Sequence, residues 1–363
     1  MKAKALFICK QMLQPDDTNY GYFRKFSGLA NSARFVSNML ESEGFESTVE
    51  VAHDNNDIDR LVTKHKPDVV FIEALWVVPE KFEVLQKLHP KVKWVIRIHS
   101  ELSFLAMESV SMDWCIRYIR DYDNVLVAPN SVAMTNDLKN IVSDIGGNTD
   151  LTEKVIYLPN YYSVATGGNF KPHRLKYDTI TGKKIINIGC FGAIRPFKNQ
   201  LSQAVAAIEM ADFLGFKLKF HINGNRIEQG DSNLKNIRAL FEHQPLHTLV
   251  EHPWQRHEQF MKTMKKMDIT LQVSFTESFN IVAADSIGAG VPVVASSEIE
   301  WVHPFFYAKP TSAKSITWAL LRTYFTRKLR LGYLSKWRLK CDGTKSKIIW
   351  SEYLTNVKKH KCK

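Results

Sequence analysis

The sequence lacks any pattern in its cysteines. The five (Cys9, Cys115, Cys190, Cys341 and Cys362) are odd in number and scattered. Neither a disulfide framework nor a zinc cage is encoded, and a reducing, cytoplasmic setting is expected. Long hydrophobic runs are also missing. The start, MKAKALFICKQ, holds too short an apolar stretch for a secretory signal and reads as a first β-strand. Val69–Val78 is apolar but carries Glu73 and is too short to span a bilayer. No repeat is visible beyond two similar halves.

Carboxylates are scarce in one region only. From Arg322 to Lys363 there are 13 Lys/Arg and two acids, Asp342 and Glu352. The rest of the chain holds 36 basic and 35 acidic residues, so the net charge of +12 sits almost wholly at the C-terminal end. This excludes a globally basic nucleic-acid binder and predicts a local basic surface. Trp318, Tyr324, Phe325, Trp337, Trp350 and Tyr353 are interleaved with or flank those cations. The stretch reads as closing helices with a charged outer face, as a surface for an acidic membrane, or as one for a polyanion such as DNA.

What is present is an alternation of strands and helices. At 363 residues the chain exceeds the roughly 250–300 that one core usually reaches, so two domains are expected. Lys4–Cys9 reads as a strand, Ser27-Gly28 opens a helix that ends at Gly44, and Thr48–Val51 is the next strand. Asp57-Ile58-Asp59 reads as a solvated helix start rather than a metal site. Pro67–Ile72 is a buried strand with Glu73 at its carboxyl end, where open α/β sheets place ligand groups. Trp94–Ser100 delivers His99 to the same edge; a histidine there is structural or ligand-facing. Asn124–Ala128 and Lys154–Asn160 complete this half as strands, and 161–183, without apolar periodicity, is the linker.

The pattern restarts at Lys184–Gly192. Arg195 and Lys198 follow on a loop, then a helix over Gln200–Gly215, a strand and turn through Asn223-Gly224, and a strand and loop through Trp254. Met261, Met264 and Met267 recur at helical spacing and read as core. The fold class is α/β: two Rossmann-like, doubly wound parallel sheets.

The densest stretch is Val273–Ser297, VSFTESFNIVAADSIGAGVPVVASS. It reads as strand, polar loop, helix from Ile281 to Gly288, glycine stop and buried strand. The helix starts beside Ser278, Phe279 and Asn280, and its free N–H groups make an anion site. Glu277 and Asp285 bracket that start. On spacing alone they are a capping loop and a solvated acid, or a pair of ligand-binding carboxylates.

Glu277, seven residues, Asp285, then Gly288-Ala289-Gly290-Val291-Pro292-Val293-Val294 resembles the signature of retaining GT-B glycosyltransferases of family 4. The family commonly has Glu at the second position; Asp285 is one methylene shorter. Gly192 with Arg195 and Lys198 resembles the family's glycine turn and cation pair. Ser27-Gly28 resembles its opening turn, and Pro159-Asn160 its first-domain close. The resemblance runs from about Lys4 to about Trp318. It implies two domains facing each other across a cleft: residues 1–162, a linker 163–183, a nucleotide-sugar domain 184–335, and a basic helical segment 336–363 that crosses back to the first domain.

The resemblance also implies roles. Glu277, Arg195, Lys198 and His99 would be catalytic: Arg195 and Lys198 neutralise a departing diphosphate without a metal, Glu277 grips a sugar hydroxyl, and His99 touches the donor sugar. Gly28, Gly192, Asn223, Gly224, Trp254, Ser278, Phe279, Asn280, Ile281 and Asp285 would contact the donor, Asp285 through the ribose. Glu73 is the acceptor-side candidate. No cofactor or metal is expected; the partners are a nucleotide-diphosphate sugar and an anionic acceptor. That acceptor is an envelope or capsule glycan at the inner membrane face, or hydroxymethylated pyrimidine in DNA. HSELS at His99 faintly resembles phage DNA α-glucosyltransferases. A nucleotide-sugar epimerase or a non-catalytic sugar-nucleotide binder is the alternative of another class.

Overall fold

The computed structural model describes residues 2–10, 28–145, 150–164, 170 and 175–361. Ser27 and most of the 161–174 stretch of the expected linker lie outside the described residues. The chain divides into two compact units, residues 1–163 with 342–363, and residues 164–341.

In the first unit strands and helices alternate: β1 (Lys4–Lys10), α1 (Gly28–Ser42), β2 (Glu46–Ala52), α2 (Asp57–His65), β3 (Val69–Glu73), α3 (Lys81–Leu88), β4 (Lys93–Ile98), α4 (Leu102–Leu105), α5 (Ser111–Asp121), β5 (Val125–Pro129) and α6 (Val132–Ser143). The strands form a parallel sheet in the order β2-β1-β3-β4-β5. Apolar runs such as Val69–Ile72 suit strands buried on both faces. Asp57 and Asp59 open α2, where carboxylates favour the positive helix end.

The expected strand over Lys154–Asn160 is absent. Thr152–Lys154 is a short 3-10 turn, and beyond it only a bridge between Val155 and Val127 and amides from Ile156 and Leu158 reach β5. Pro159 has no N–H to extend the ladder.

The second unit contains β6 (Ile185–Gly189), α7 (Gln200–Phe213), β7 (Lys217–Asn223), α8 (Asp231–Glu242), β8 (Thr248–His252), α9 (His257–Met264), β9 (Ile269–Gln272), α10 (Ile281–Ala289), β10 (Val293–Ala295) and α11 (Ala313–Phe325). Its parallel sheet runs β10-β9-β6-β7-β8. The chain leaves β6 toward β7 on one side and later returns through β9 on the other. The loops after β6 and β9 therefore part at the carboxyl edge, the place where open α/β sheets bind ligands. Met264 and Met267, ahead of β9, are buried as core, with Met261 partly exposed.

The last helix, α12 (Gly332–Lys361), is shared: residues up to Cys341 belong to the second unit and those from Asp342 to the first. Trp350, one of the aromatics that stand among the cations in sequence, is fully buried. Ser346, Trp350, Leu354 and Val357 recur every three or four residues, and all four are buried. Trp350 lies 5.1 Å from Phe71 and 5.8 Å from Phe7, ring centre to ring centre, and its Nε1 donates to the Pro159 carbonyl at 2.8 Å.

Two outcomes follow from these packings. Trp350→Ala removes an aromatic side chain and a buried hydrogen bond from the first unit, and should cost about 3–5 kcal/mol in urea unfolding; a loss under about 1 kcal/mol would place the helix outside that core. In the second unit His221 stacks on His252, with Nδ1 2.9 Å from the partner's Nε2 and Nε2 3.2 Å from Asn187 Oδ1. Burial, then the neighbouring His252, pushes His221 down from 6.5 to about 3. The unfolded chain takes up this proton first, so the contribution is whole above pH about 6.5 and drains away as pH falls toward about 3. His221→Gln should flatten that part of the urea-midpoint profile, and an unchanged profile would contradict a neutral buried His221.

Candidate active site

Side-chain amides fasten the two loops of the second unit's carboxyl edge together. Asn199, at the start of α7 with φ 56°, donates from Nδ2 to the carbonyls of Val273 and Pro310 at 3.1 and 2.8 Å. Gln203, one turn on, accepts from the Val273 amide at 2.8 Å and donates to the Lys198 carbonyl at 2.7 Å. Gln272 at the end of β9 donates to the Phe191 carbonyl at 2.9 Å. These bonds span the gap between β6 and β9, and they bring Lys198 and Glu277 into an ion pair, Nζ to Oε1. The Glu277 side chain is 9% exposed.

The Glu277 loop leads into α10. Asn280 adopts a left-handed φ of 61°, accepts from the Ala283 amide at 2.9 Å as an N-cap, and donates to Gln272 Oε1 at 2.8 Å. Phe279 is buried, and its carbonyl accepts from Trp301 Nε1 at 2.8 Å. Ser278 and Ile281, on either side, are partly exposed. The helix start expected from the sequence is thus formed and rigidly mounted.

Asp285 is buried inside α10, and its Oδ1 meets Nε2 of His257, the first residue of α9, at 2.7 Å. The hydrogen bond to Asp285 holds His257 above the ordinary histidine range. The Asp285 side chain is 4% exposed and that of His257 30%.

On the β6 side, Gly192 has φ 119°, a conformation that side chains rarely tolerate, and its amide donates to Asn223 Oδ1 at 3.0 Å. Two residues expected at the donor therefore hold each other. Gly224 follows β7, where a Cβ would fall 2.0 Å from Glu251 Oε2. Arg195 pairs with Glu228, which also accepts from Arg226 Nε at 2.6 Å. The Arg226 guanidinium sits 4.6 Å from the ring centre of Trp254. Burial works to raise the Glu228 carboxyl, but the charges of Arg195 and Arg226 overcome it and hold it below its usual range. Trp254, Arg226, Glu228 and Arg195 form one connected chain.

In the first unit Gly28 opens α1, and a separate cluster occupies the β3–β4 edge. Glu73 and Arg97 are register partners on the two strands. Arg97 donates to Glu73 Oε1 at 3.2 Å, to the Leu158 carbonyl at 3.1 Å and to Asn160 Oδ1 at 3.0 Å. His99 Nε2 lies 2.6 Å from Glu73 Oε2. Burial opposes the charge on Glu73, yet Arg97 and His99 together keep its carboxyl below the ordinary value. Glu73, 1% exposed, supports His99 from behind rather than facing out.

Sequence reasoning missed Glu228, Arg226, His257 and Arg97. The signal for Arg97 was available: opposite charges end two consecutive parallel strands, and His99 lies on the same face two residues on. Nothing in the spacing links Glu228 to Arg195 or His257 to Asp285, which are distant in the chain. Among the described residues no group of three or more His, Cys, Asp or Glu side chains is arranged to hold a metal ion, and no helix is long and apolar enough to cross a membrane.

Residues 172–299 match the family model described as family 4 glycosyltransferase in conflict systems. No curated protein sequence matches the chain. Among solved structures, the UDP-forming α,α-trehalose-phosphate synthase of Burkholderia vietnamiensis is 12% identical, covers 98% of both chains and gives a TM-score of 0.65. An E. coli trehalose-6-phosphate structure bound with UDP-2-fluoro glucose is 12% identical over 97% of this chain and 99% of that one, with a TM-score of 0.63. S. aureus TarM, in complex with fondaparinux, α-GlcNAc-glycerol and UDP, is 13% identical over 82% of this chain and 57% of its own, with a TM-score of 0.59. Along nearly its whole length the chain shares the fold of GT-B glycosyltransferases, and over residues 172–299 it resembles those of family 4.

Proposed function

We propose that the chain moves a hexosyl group from a nucleotide-diphosphate sugar to an acceptor hydroxyl with retention of anomeric configuration. The Lys198–Glu277 pair at the parting of β6 and β9 is the observation that carries this reading. Lys198 and Arg195 would neutralise the diphosphate as the anomeric C–O bond breaks, assisted by the N-terminal end of α10. Glu277, oriented by Lys198, would hold a sugar hydroxyl. The acceptor oxygen bonds to the anomeric carbon on the face the phosphate leaves, and its proton passes to the departing phosphate oxygen. These cations supply the charge a metal would otherwise bring, so no metal is needed. Neighbours solved with UDP or UDP-2-fluoro glucose support a uridine donor.

The acceptor we favour is an envelope glycan carried at the inner membrane face. Of the two tryptophans whose surroundings permit a DNA acceptor, Trp350 is in a core and Trp337 is exposed.

Glu277→Gln should abolish transfer while the melting curve stays unchanged; near-normal turnover would sink the donor-site assignment. Arg195→Ala and Lys198→Ala should each lower turnover by about 10²–10³-fold, the size of a lost oxyanion donor. Turnover should persist in EDTA, and strict dependence on a divalent ion would refute this charge scheme. Proton NMR of the product formed from an α-linked donor should show an α-linkage. A β-linkage would refute retention, and an epimerised donor without any transfer would refute the transferase reading.

A further inference from the structure

We propose that the exposed face of α11, the turn after it and the first turns of α12 form a docking surface for an anionic phospholipid bilayer. This deepens the reading of a membrane-carried acceptor and rests on it.

Charge is the first observation. Between Glu300 and Asp342 the sequence has no carboxylate and nine Lys/Arg. Nothing within that stretch can neutralise its cations, and each Lys or Arg near an anionic leaflet adds attraction.

Exposed apolar groups are the second. Along α11, Lys314, Trp318, Arg322 and Phe325 are exposed at intervals of three or four residues, and Leu329 continues the series in the turn. Trp318 is 60%, Phe325 62% and Leu329 68% exposed. The opposite face, through Ile316, Ala319, Leu320 and Tyr324, is packed into the core of the second unit. The helix therefore has its core-facing stripe and a further apolar stripe mixed with cations. Tyr333, Leu334 and Trp337 are exposed at the start of α12, with Lys340 one turn beyond.

A recess is the third. A small recess of about 40 Å³ lies beside the turn, lined by Ile269, Pro292, Phe306 and Tyr324, by Arg327 and Arg330, and by one carboxylate, Asp268. Ile269 begins β9 and Pro292 precedes β10, so the recess is at the opposite edge of the sheet from Lys198 and Glu277. Its two guanidinium groups outnumber its one carboxylate and suit a lipid phosphate resting over apolar walls.

A bilayer answers all three. Tryptophan and tyrosine settle at headgroup level, leucine and phenylalanine enter the acyl region, and the cations meet phosphate. A nucleic-acid backbone would use the cations but give Leu329, Leu334 and Phe325 nothing to enter. A second copy would set the same cation-rich patch against itself in a symmetric dimer, like charge against like.

The test floats the full chain with phosphatidylcholine vesicles, with or without phosphatidylglycerol. Wild type should float with the phosphatidylglycerol vesicles and not with the neutral ones. Trp318→Ser with Phe325→Ser and Trp337→Ser should reduce the bound fraction about tenfold or more, and so should Lys314→Glu with Lys328→Glu. Thermal melts confirm that the variants fold, and their binding of the nucleotide donor should be unchanged. No flotation, or equal flotation of both variants, overturns the proposal. So does binding to duplex DNA in place of vesicles, or a concentration-dependent dimer that the Trp variant abolishes. A chain that floats but binds no nucleotide sugar would refute the transfer reading and leave the docking surface standing.

Discussion

The second unit depends on a constraint set by three side-chain amides. Backbone hydrogen bonds hold β6 and β9 together only near Gly189, and past that point their loops diverge. Asn199, Gln203 and Gln272 close the divergence with bonds to main-chain groups of the other loop or of their own. All three are buried, so an amide left unpartnered there would carry a desolvation cost of about 1–3 kcal/mol. Lys198 and Glu277 meet because the loops beneath them are already joined. The same economy appears at Asn280, which caps α10 with one end of its amide and bonds Gln272 with the other.

Carboxylates determine where the cations can go. Arg195 and Arg226 share Glu228, Lys198 has Glu277, and Arg97 has Glu73. Each side chain is long, and a long cation without a partner would sample many rotamers; a paired one is held near a single geometry. The Arg226 guanidinium over Trp254 extends this ordering from the loop after β6 to the loop after β8. A ligand reaching both loops would meet charges already oriented, which lowers the reorganisation it must drive.

Much of the scaffold was legible in the sequence because strand burial is written as apolar runs and helix stops as glycines. Val69–Ile72, Ile185–Gly189 and the Gly288–Gly290 stop all fall where patterning places them. Asn280 was readable as a helix-start residue, although its left-handed backbone was not. Long-range partnership left no local trace. His257 lies 28 residues from Asp285 and Glu228 33 from Arg195, and no periodicity links such positions. At the end of the chain the readings stayed open for a different reason. Trp350 sits among cations in sequence, but on a helix the face, not the neighbourhood, decides burial, and its face repeats through Ser346, Leu354 and Val357. Lys154–Asn160 has β-branched residues enough for a strand, yet proline halts the ladder.

The shared helix α12 has a consequence for synthesis. The first unit is assembled from two segments that flank the second: Phe7 and Phe71 are made before it, and the Trp350 that packs on them after it. Its sheet can pair while the ribosome is still translating, but one face remains uncovered until α12 emerges. The second unit, encoded wholly between, can complete its core first. The order of maturation is then the reverse of the order of translation, and the interval is a period of exposure to chaperones and aggregation that a domain continuous in sequence avoids.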